Sequence, residues 1–257
     1  MYAPLLHSPA TGVIVTGGAS GLGLASARAL AAVGRPVALW DINEAGATEA
    51  AEGIRRRYGV PAVGLRVDLR DPQAMMPAVD ASRSAMGTIG AVLHSAGTVE
   101  ITGIEGVTVA NWDSGINVHT RALVLLVQAV LHDLKAHPGS AVVGIASINA
   151  TLGAGSIPIY TAAKAGILGL VRSMADELGR HNIRINAVSP GVIDTPIIEP
   201  ALRVVSREQF ERRIQLGRLG RAEEIGRLVR FLLSDEASYI TAAEILADGG
   251  NVTSQRQ

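Results

Sequence analysis

Short apolar runs alternate along the chain with longer segments in which apolar and polar residues recur at helical spacing. The apolar runs predict strands at residues 13–16, 37–40, 62–67, 91–94, 141–146, 183–188 and 244–246. The longer segments predict helices at residues 21–33, 44–58, 72–86, 120–137, 158–179 and 223–233. Residues 192–219 follow neither pattern for long, and we expect an irregular segment with a short helix there.

The arrangement of these elements predicts the fold class. The strands are continuous apolar runs, which is typical of strands with helices packed on both faces. Strict alternation of strand and helix requires right-handed parallel crossovers. We therefore expect an α/β fold with one doubly wound parallel sheet of about seven strands and helices on both faces. No linker, charge block or repeat divides the chain, so we expect a single domain over residues 1–257.

Composition and charge narrow the possible functions. The chain has 257 residues, of which 23 are basic, 23 are acidic and 48% are hydrophobic. A formal net charge of zero gives no long-range field to attract a polyanion, so we expect no nucleic-acid partner and no membrane surface as partner. The sequence contains no cysteine. Disulfides, thiolate metal sites and thiol nucleophiles are therefore excluded.

Two segments bear on localisation. The first 12 residues lack the basic flank and the long apolar stretch of a secretory signal. The longest apolar run covers residues 122–127 and resumes after Gln128 only as far as residue 131. A membrane span needs about 18 apolar residues. We therefore expect a cytoplasmic protein.

A glycine-rich turn joins the first predicted strand to the first predicted helix. Residues 16–23 read TGGASGLG. Glycine permits a sharp turn and a close approach of backbone N–H groups to a phosphate, and a helix N-terminus favours a pyrophosphate. Asp41 ends the second strand, 18 residues after Gly23. A carboxylate there can accept hydrogen bonds from the adenosine ribose and repels a 2′-phosphate, so the pattern predicts NAD(H) rather than NADP(H).

One pair of side chains predicts proton-transfer chemistry. The 23 basic residues include only two lysines, Lys135 and Lys164, and Tyr160 lies four residues before Lys164. On a helix this spacing brings the phenol and the ammonium to one face, where the cation favours the phenolate. Ser147 ends the fifth predicted strand, 13 residues before Tyr160. Strand ends of such a sheet face the ligand crevice, so Ser147 can hydrogen-bond a substrate oxygen.

These motifs together resemble the short-chain dehydrogenase/reductase family. Its TGxxxGxG pattern is matched at residues 16–23 and its YxxxK pattern at residues 160–164. The family's Asn-Asn-Ala-Gly motif is present as HSAG over residues 94–97, with both asparagines replaced. The resemblance implies a Rossmann-type domain whose cofactor contacts are Gly17, Ser20, Gly21, Leu22, Gly23, Asp41, Asp68, Leu69, Ala96, Gly97, Tyr160, Lys164, Pro190, Gly191, Val192 and Thr195.

The resemblance also implies roles in catalysis. Tyr160 is expected to be the acid/base, and Lys164 to lower its pKa and bind the nicotinamide ribose. Ser147 is expected to hold the substrate oxygen, and the backbone carbonyl of Asn117 to hold a water of the proton relay. Substrate contacts are expected from Ser147, Asn149, Tyr160 and Ile197, with residues 192–219 forming a lid. A homotetramer is the assembly that the resemblance implies.

The expected function is the NAD(H)-dependent interconversion of a secondary alcohol and a ketone, with a small-molecule, hydrophobic substrate. Two alternatives stay open: a 3-oxoacyl-thioester reductase, and a catalytically silent nucleotide-sensing protein. An enoyl reductase would space its tyrosine and lysine more widely. The histidines at positions 94, 119, 132, 137 and 181 lack metal-ligand spacing, so we expect no metal and predict solvated or structural roles for them.

Overall fold

The computed structural model describes residues 9–253. Residues 1–8 and 254–257 lie outside the described residues. Residues 1–8 hold most of the segment on which the expected absence of a secretory signal rests, so that prediction falls largely outside the described residues. The two ends of the expected single domain also lie outside them.

The described residues form nine strands: β1 (Gly12–Thr16), β2 (Val37–Asp41), β3 (Ala62–Arg66), β4 (Ile89–His94), β5 (Ala141–Ile145), β6 (Arg184–Pro190), β7 (Ile193–Asp194), β8 (Gly220–Arg221) and β9 (Glu244–Ala247). Seven of them form one parallel sheet in the order β3-β2-β1-β4-β5-β6-β9. The chain runs outward from β1 to β3, returns to β4 and then runs outward to β9. The predicted doubly wound parallel sheet is confirmed. Its order reverses between β1 and β4, where such sheets bind ligands at the carboxyl ends of the strands.

The helices of the described residues are α1 (Gly21–Ala31), α2 (Glu44–Tyr58), α3 (Met75–Met86), α4 (Val109–Ile116), α5 (Ala122–Ala129), α6 (Leu131–Ala136), α7 (Asn149–Leu152), α8 (Pro158–Gly179), α9 (Glu199–Leu202), α10 (Arg207–Glu211) and α11 (Ala222–Leu232). They pack on both faces of the sheet. In β1, Ile14 belongs to the core on the side of α3, α5 and α8, whereas Val13 and Val15 belong to the core on the side of α1, α2 and α11. Successive side chains of a strand point to opposite faces. Burial of both faces is thus why the strands are continuously apolar.

The predicted helix at residues 120–137 differs from the structure. The helix begins earlier, at Val109, because the Thr108 and Asn111 side chains cap it reciprocally. It then passes through a π-helical segment, Asn117–Arg121, before α5 begins. Val130 leaves the helical conformation and separates α5 from α6. The polar residues of α4 hid its periodicity from the sequence pattern.

The predicted irregular segment at residues 192–219 contains more structure than expected. It holds a 3-10 turn, Pro196–Ile198, followed by α9 and α10. The pairing of β7 with β8 closes its base, and Arg207 forms an ion pair with Asp194 at 3.0 Å. None of the helices between residues 9 and 253 combines the length and apolar character needed to cross a bilayer.

Candidate active site

The glycine-rich turn lies at the carboxyl end of β1, beside the point where the strand order reverses. Gly17 and Gly21 have positive φ angles of 68° and 52°. A Cβ on Gly23 would lie 2.1 Å from the carbonyl oxygen of Gly17, so only glycine lets the turn fold back on itself at this position. The turn ends in α1, whose first N–H groups have no intrahelical partner.

The glycine-rich turn lies next to the segment after β6. A Cβ on Gly21 would meet only the Thr195 side chain, at 3.8 Å. Gly21 and Thr195, which belong to motifs far apart in the sequence and are both expected to contact the cofactor, therefore lie side by side. A cradle beside the N-terminus of α1 fits the phosphates of a dinucleotide. Ser20, the residue before α1, is exposed and makes no side-chain capping bond, and Leu22 packs partly against the core.

The carboxylate of Asp41 is fixed beside the same turn. Its Oδ2 accepts the N–H of Ala19 at 3.0 Å, and its Oδ1 accepts the N–H of Asn43 at 3.0 Å. Two backbone donors thus hold the Asp41 side chain at the end of β2, where the adenosine ribose is expected.

The other predicted cofactor residues divide into exposed and buried groups. Asp68 is bound bidentately by Arg70, and this hydrogen bond is the main reason that its pKa is lowered. Leu69 is 5% exposed and belongs to the core, so only its backbone can serve a cofactor.

Pro190 ends β6, and a Cβ on Gly191 would lie 2.7 Å from Asp248 Cα. Gly191 is therefore required first for packing of the C-terminal turn. Val192 is partly exposed between Gly191 and the start of β7.

His94 stands where the family motif has its first asparagine, and both of its ring nitrogens have a partner. The Thr16 hydroxyl accepts the N–H groups of Ser95 and Ala96, each at 3.1 Å, and lies 3.0 Å from His94 Nδ1. His94 Nε2 lies 2.8 Å from the carbonyl oxygen of His119. Burial, followed by the charge of Lys164, lowers the pKa of His94 to about 4. His94 is neutral at pH 7, and both ring nitrogens are satisfied.

Ser147 and Asn149 lie together after β5. The Ser147 hydroxyl oxygen accepts the N–H of Asn149, the first residue of α7, at 3.1 Å. Ser147 is 7% exposed. The backbone bond fixes the hydroxyl oxygen, and the hydroxyl hydrogen can still be donated to an oxygen beside it, such as that of the Tyr160 phenol.

Tyr160 and Lys164 lie in the first two turns of α8, as predicted. Lys164 Nζ is 5.5 Å from the centroid of the Tyr160 ring and donates a hydrogen bond to the carbonyl of Ile145 at 2.6 Å. Burial lowers the pKa of Lys164 to about 7. Burial also raises the pKa of Tyr160, and the Ser147 side chain opposes that rise to a smaller extent.

The expectation that Lys164, with a bound nicotinamide, lowers the pKa of Tyr160 stays a prediction. Burial raises the pKa of Tyr160 because it removes the water that would stabilise the phenolate. The phenol keeps its proton at neutral pH.

Asn117 is the first residue of the π-helical segment. Its carbonyl accepts the N–H of Ala122, five residues on, rather than that of residue 121. A π-turn changes the direction of the carbonyls around it, and such turns are frequent at functional sites. No pattern in the sequence predicted this turn.

Three further features complete the site. The structure places His119, for which we predicted a solvated or structural role, beside Tyr160: the ring centroids are 5.6 Å apart and the planes meet at 85°. Its position two residues after Asn117 was the signal that could have identified it.

Ile197, an expected substrate contact, is 52% exposed on the segment after β7. Among residues 9–253, no group of three or more His, Asp or Glu side chains could hold a metal ion.

A dinucleotide cradle at the switch point of the sheet, with a serine, a tyrosine and a lysine beside it, defines a nicotinamide-dependent oxidoreductase of Rossmann type. A family model described as enoyl-(acyl carrier protein) reductase matches residues 17–251. The chain belongs to the short-chain dehydrogenase/reductase family.

Individual relatives agree with this assignment. The chain is 34% identical over 243 residues to the probable galactose dehydrogenase GalD of Rhizobium meliloti (strain 1021), covering 93% of this chain and 94% of the relative. It is 35% identical over 247 residues to levodione reductase of Leifsonia aquatica, covering 93% and 92%. The crystal structure of a short-chain type dehydrogenase/reductase from Mycobacterium marinum is similar at a TM-score of 0.90 and 27% identity, covering 97% and 98%.

Proposed function

We propose that the protein interconverts a secondary alcohol and a ketone with NAD(H) as cofactor. The observation that carries the proposal is the pair of hydroxyls on Ser147 and Tyr160. The Ser147 oxygen accepts the N–H of Asn149, and its hydroxyl hydrogen bond opposes the rise in the pKa of Tyr160, so both hydroxyls lie at one place where a substrate oxygen can bind. A carbonyl oxygen between these two donors would be stabilised as negative charge develops on it.

The protonation state of Tyr160 favours one direction of the reaction. Because burial raises its pKa, Tyr160 carries a proton at neutral pH and can give it to a carbonyl oxygen. A bound nicotinamide supplies the hydride for reduction, or accepts it in oxidation. We therefore propose that ketone reduction is efficient at neutral pH and that alcohol oxidation gains from higher pH.

We propose that Lys164 binds the nicotinamide ribose. Its ammonium has three donors, and the described contact to the Ile145 carbonyl uses one of them. With a pKa of about 7, the amine is close to balance between its charged and neutral forms, so new acceptors around it would favour the charged form. We propose that the backbone carbonyl of Asn117 holds a water molecule of the proton relay.

The preference for NAD(H) rests on Asp41. Two backbone N–H groups hold its carboxylate at the end of β2. An anion in this position accepts hydrogen bonds from ribose hydroxyls and repels a 2′-phosphate. Asp41 therefore also counts against the first alternative, because a 3-oxoacyl-thioester reductase usually prefers NADPH.

Two other functions are less well supported. The family model that matches the chain carries an enoyl reductase description, but Tyr160 and Lys164 are separated by four residues, less than we expect for that reaction. A nucleotide sensor would have no need for the complete Ser147, Tyr160 and Lys164 set.

The proposal is tested by absorbance at the NADH band. The panel contains galactose and levodione, the compounds in the names of two relatives, together with simple hydrophobic alcohols and ketones. Each compound is assayed at pH 7 and pH 10. Tyr160→Phe should bind NADH as the wild type does and lose nearly all turnover. Wild-type turnover in this variant would refute the assignment of Tyr160, and NADH binding without turnover on any compound would favour the sensor.

We also propose a homotetramer. Val109 and Trp112 of α4 and Leu152 of α7 are 79%, 42% and 54% exposed, and burial between subunits would remove this apolar surface from water. Light scattering of the purified protein tests the proposal, and a monomer at all concentrations would refute it.

A further inference from the structure

A chain of contacts links the glycine-rich turn to the catalytic tyrosine. Thr16 ends β1, and its hydroxyl oxygen already accepts two N–H groups. Its hydrogen must therefore point to His94 Nδ1, which makes Nδ1 the acceptor and places the ring proton on Nε2. His94 Nε2 then donates to the carbonyl oxygen of His119.

The ring of His119 continues this chain. It is 1% exposed and meets the Tyr160 ring edge to face, with centroids 5.6 Å apart. Its Nε2 lies 3.2 Å from the backbone nitrogen and 3.0 Å from the carbonyl oxygen of Thr98. A Cβ on Gly97 would lie 2.1 Å from His119 Cε1, so the ring fills the space where a side chain of residue 97 would be.

We propose that His94 and His119 are positioning residues that hold Tyr160 in its catalytic orientation from the end of β1. This inference rests on the proposed role of Tyr160 as the acid/base. His94 fixes the backbone of the π-helical segment at His119, and His119 fixes the Tyr160 ring by contact. Small displacements of a catalytic group are costly in rate, so a rigid support of this kind affects turnover directly.

One detail argues that the ring of His119 is needed for its shape. His119 Nδ1 is buried and has no hydrogen-bond partner. A buried unpaired nitrogen costs stability, so hydrogen bonding does not explain the whole side chain. The ring contact with Tyr160 and the packing on Gly97 explain a planar ring at this position.

Kinetics separate positioning from general stability. His119→Ala removes the ring, and we expect kcat to fall at least tenfold while the affinity for NADH changes by less than twofold. His119→Phe keeps a ring against Tyr160, and we expect it to recover kcat to within about threefold of the wild type. His132→Ala, which changes an exposed histidine of α6, is the matched control. Equal kcat in His119→Ala and the wild type, or no recovery in His119→Phe, would overturn the proposal.

A second measurement does not depend on turnover. The titration of Tyr160 is obtained as the ultraviolet difference between each protein and the same protein carrying Tyr160→Phe. Burial is what raises the pKa of Tyr160, so loss of the His119 ring should admit water and lower this pKa, whereas His119→Phe should leave it near the wild-type value. An unchanged titration in folded His119→Ala overturns the inference. A shifted titration with no turnover on any compound would instead count against the proposed function.

His94→Asn tests the other half of the link and serves if His119→Ala fails to fold. Asparagine is too short to reach both Thr16 and the His119 carbonyl, so we expect a smaller fall in kcat and a smaller shift of the Tyr160 titration in the same direction. If His94 acts through His119, the double variant should be no slower than His119→Ala alone. Additive losses, or wild-type values in His94→Asn, would refute the link.

Discussion

Lys164 is 4% exposed, and its ammonium donates a 2.6 Å hydrogen bond to the backbone carbonyl of Ile145. This carbonyl belongs to the last residue of β5, two residues before Ser147. Lys164 is thus bound to the strand that positions the serine. Its charge is buried without a carboxylate in its described contacts, and burial alone lowers its pKa to about 7.

We predict that Lys164→Met stabilises the protein at neutral pH and abolishes turnover. The unfolded chain protonates Lys164 below its ordinary pKa of 10.5, whereas the folded protein does so only below about 7. The folded state therefore loses stability as pH falls from 10.5 to 7, and the full cost, up to ~5 kcal/mol, is present below pH 7. Loss of the hydrogen bond to Ile145 offsets part of this gain.

Urea unfolding of the wild type and Lys164→Met checks this prediction. At pH 7 the variant should be more stable by ~2 kcal/mol, and the advantage should shrink toward pH 10. Lys135→Met, which changes the other lysine, is the control. A variant that is less stable than the wild type at pH 7 would contradict the argument.

We predict that His94 makes the protein less stable in mild acid. The folded pKa is lowered from 6.5 to about 4. The unfolded chain therefore takes up a proton on this residue before the folded protein does. The contribution of neutral, buried His94 to the free energy of unfolding is fully present above pH 6.5. This free energy decreases as pH falls from 6.5 to 4, by ~3 kcal/mol in total.

The measurement is the free energy of unfolding at pH 7.5 and pH 5. His94→Asn should reduce the difference between the two values, since asparagine does not titrate. Part of the difference should remain, because burial also lowers the pKa of His119. The same difference in both proteins would show that His94 is not the titrating group.

We predict that Asp41 sets the cofactor preference. Asp41→Asn keeps a side chain of the same shape and one acceptor for the N–H groups of Ala19 and Asn43, but removes the negative charge. The ratio of kcat/KM for NAD to that for NADP should fall at least tenfold. Asp71→Asn, which changes the capping carboxylate before α3, is the control. An unchanged ratio in Asp41→Asn would show that another group rejects the 2′-phosphate.

The sheet could be predicted from the sequence because each strand is recognisable from a few neighbouring residues. Val13, Ile14 and Val15 are apolar since each lies in one of the two cores, and the Tyr160 to Lys164 spacing follows from one helix. The support around Tyr160 could not be predicted in the same way. It joins Thr16 to His94 across 78 positions and depends on a π-turn that no residue pattern indicated. The raised pKa of Tyr160 likewise depends on burial, which the sequence does not contain.

We predict opposite effects for two Gly→Ala changes in helices. A Cβ on Gly23 would lie 2.1 Å from the Gly17 carbonyl oxygen, whereas a Cβ on Gly53 of α2 would meet no atom within 4 Å. Gly23→Ala must force the glycine-rich turn open, so it should lower the stability by ~2 kcal/mol or more and weaken NADH binding at least tenfold. Gly53→Ala should raise the stability by ~0.5 to 1 kcal/mol, because alanine is the better helix former, and leave NADH binding unchanged. Thermal unfolding and NADH fluorescence titration measure both effects. If Gly23→Ala binds NADH as tightly as Gly53→Ala does, the close approach of Gly23 to Gly17 is not what shapes the cofactor cradle.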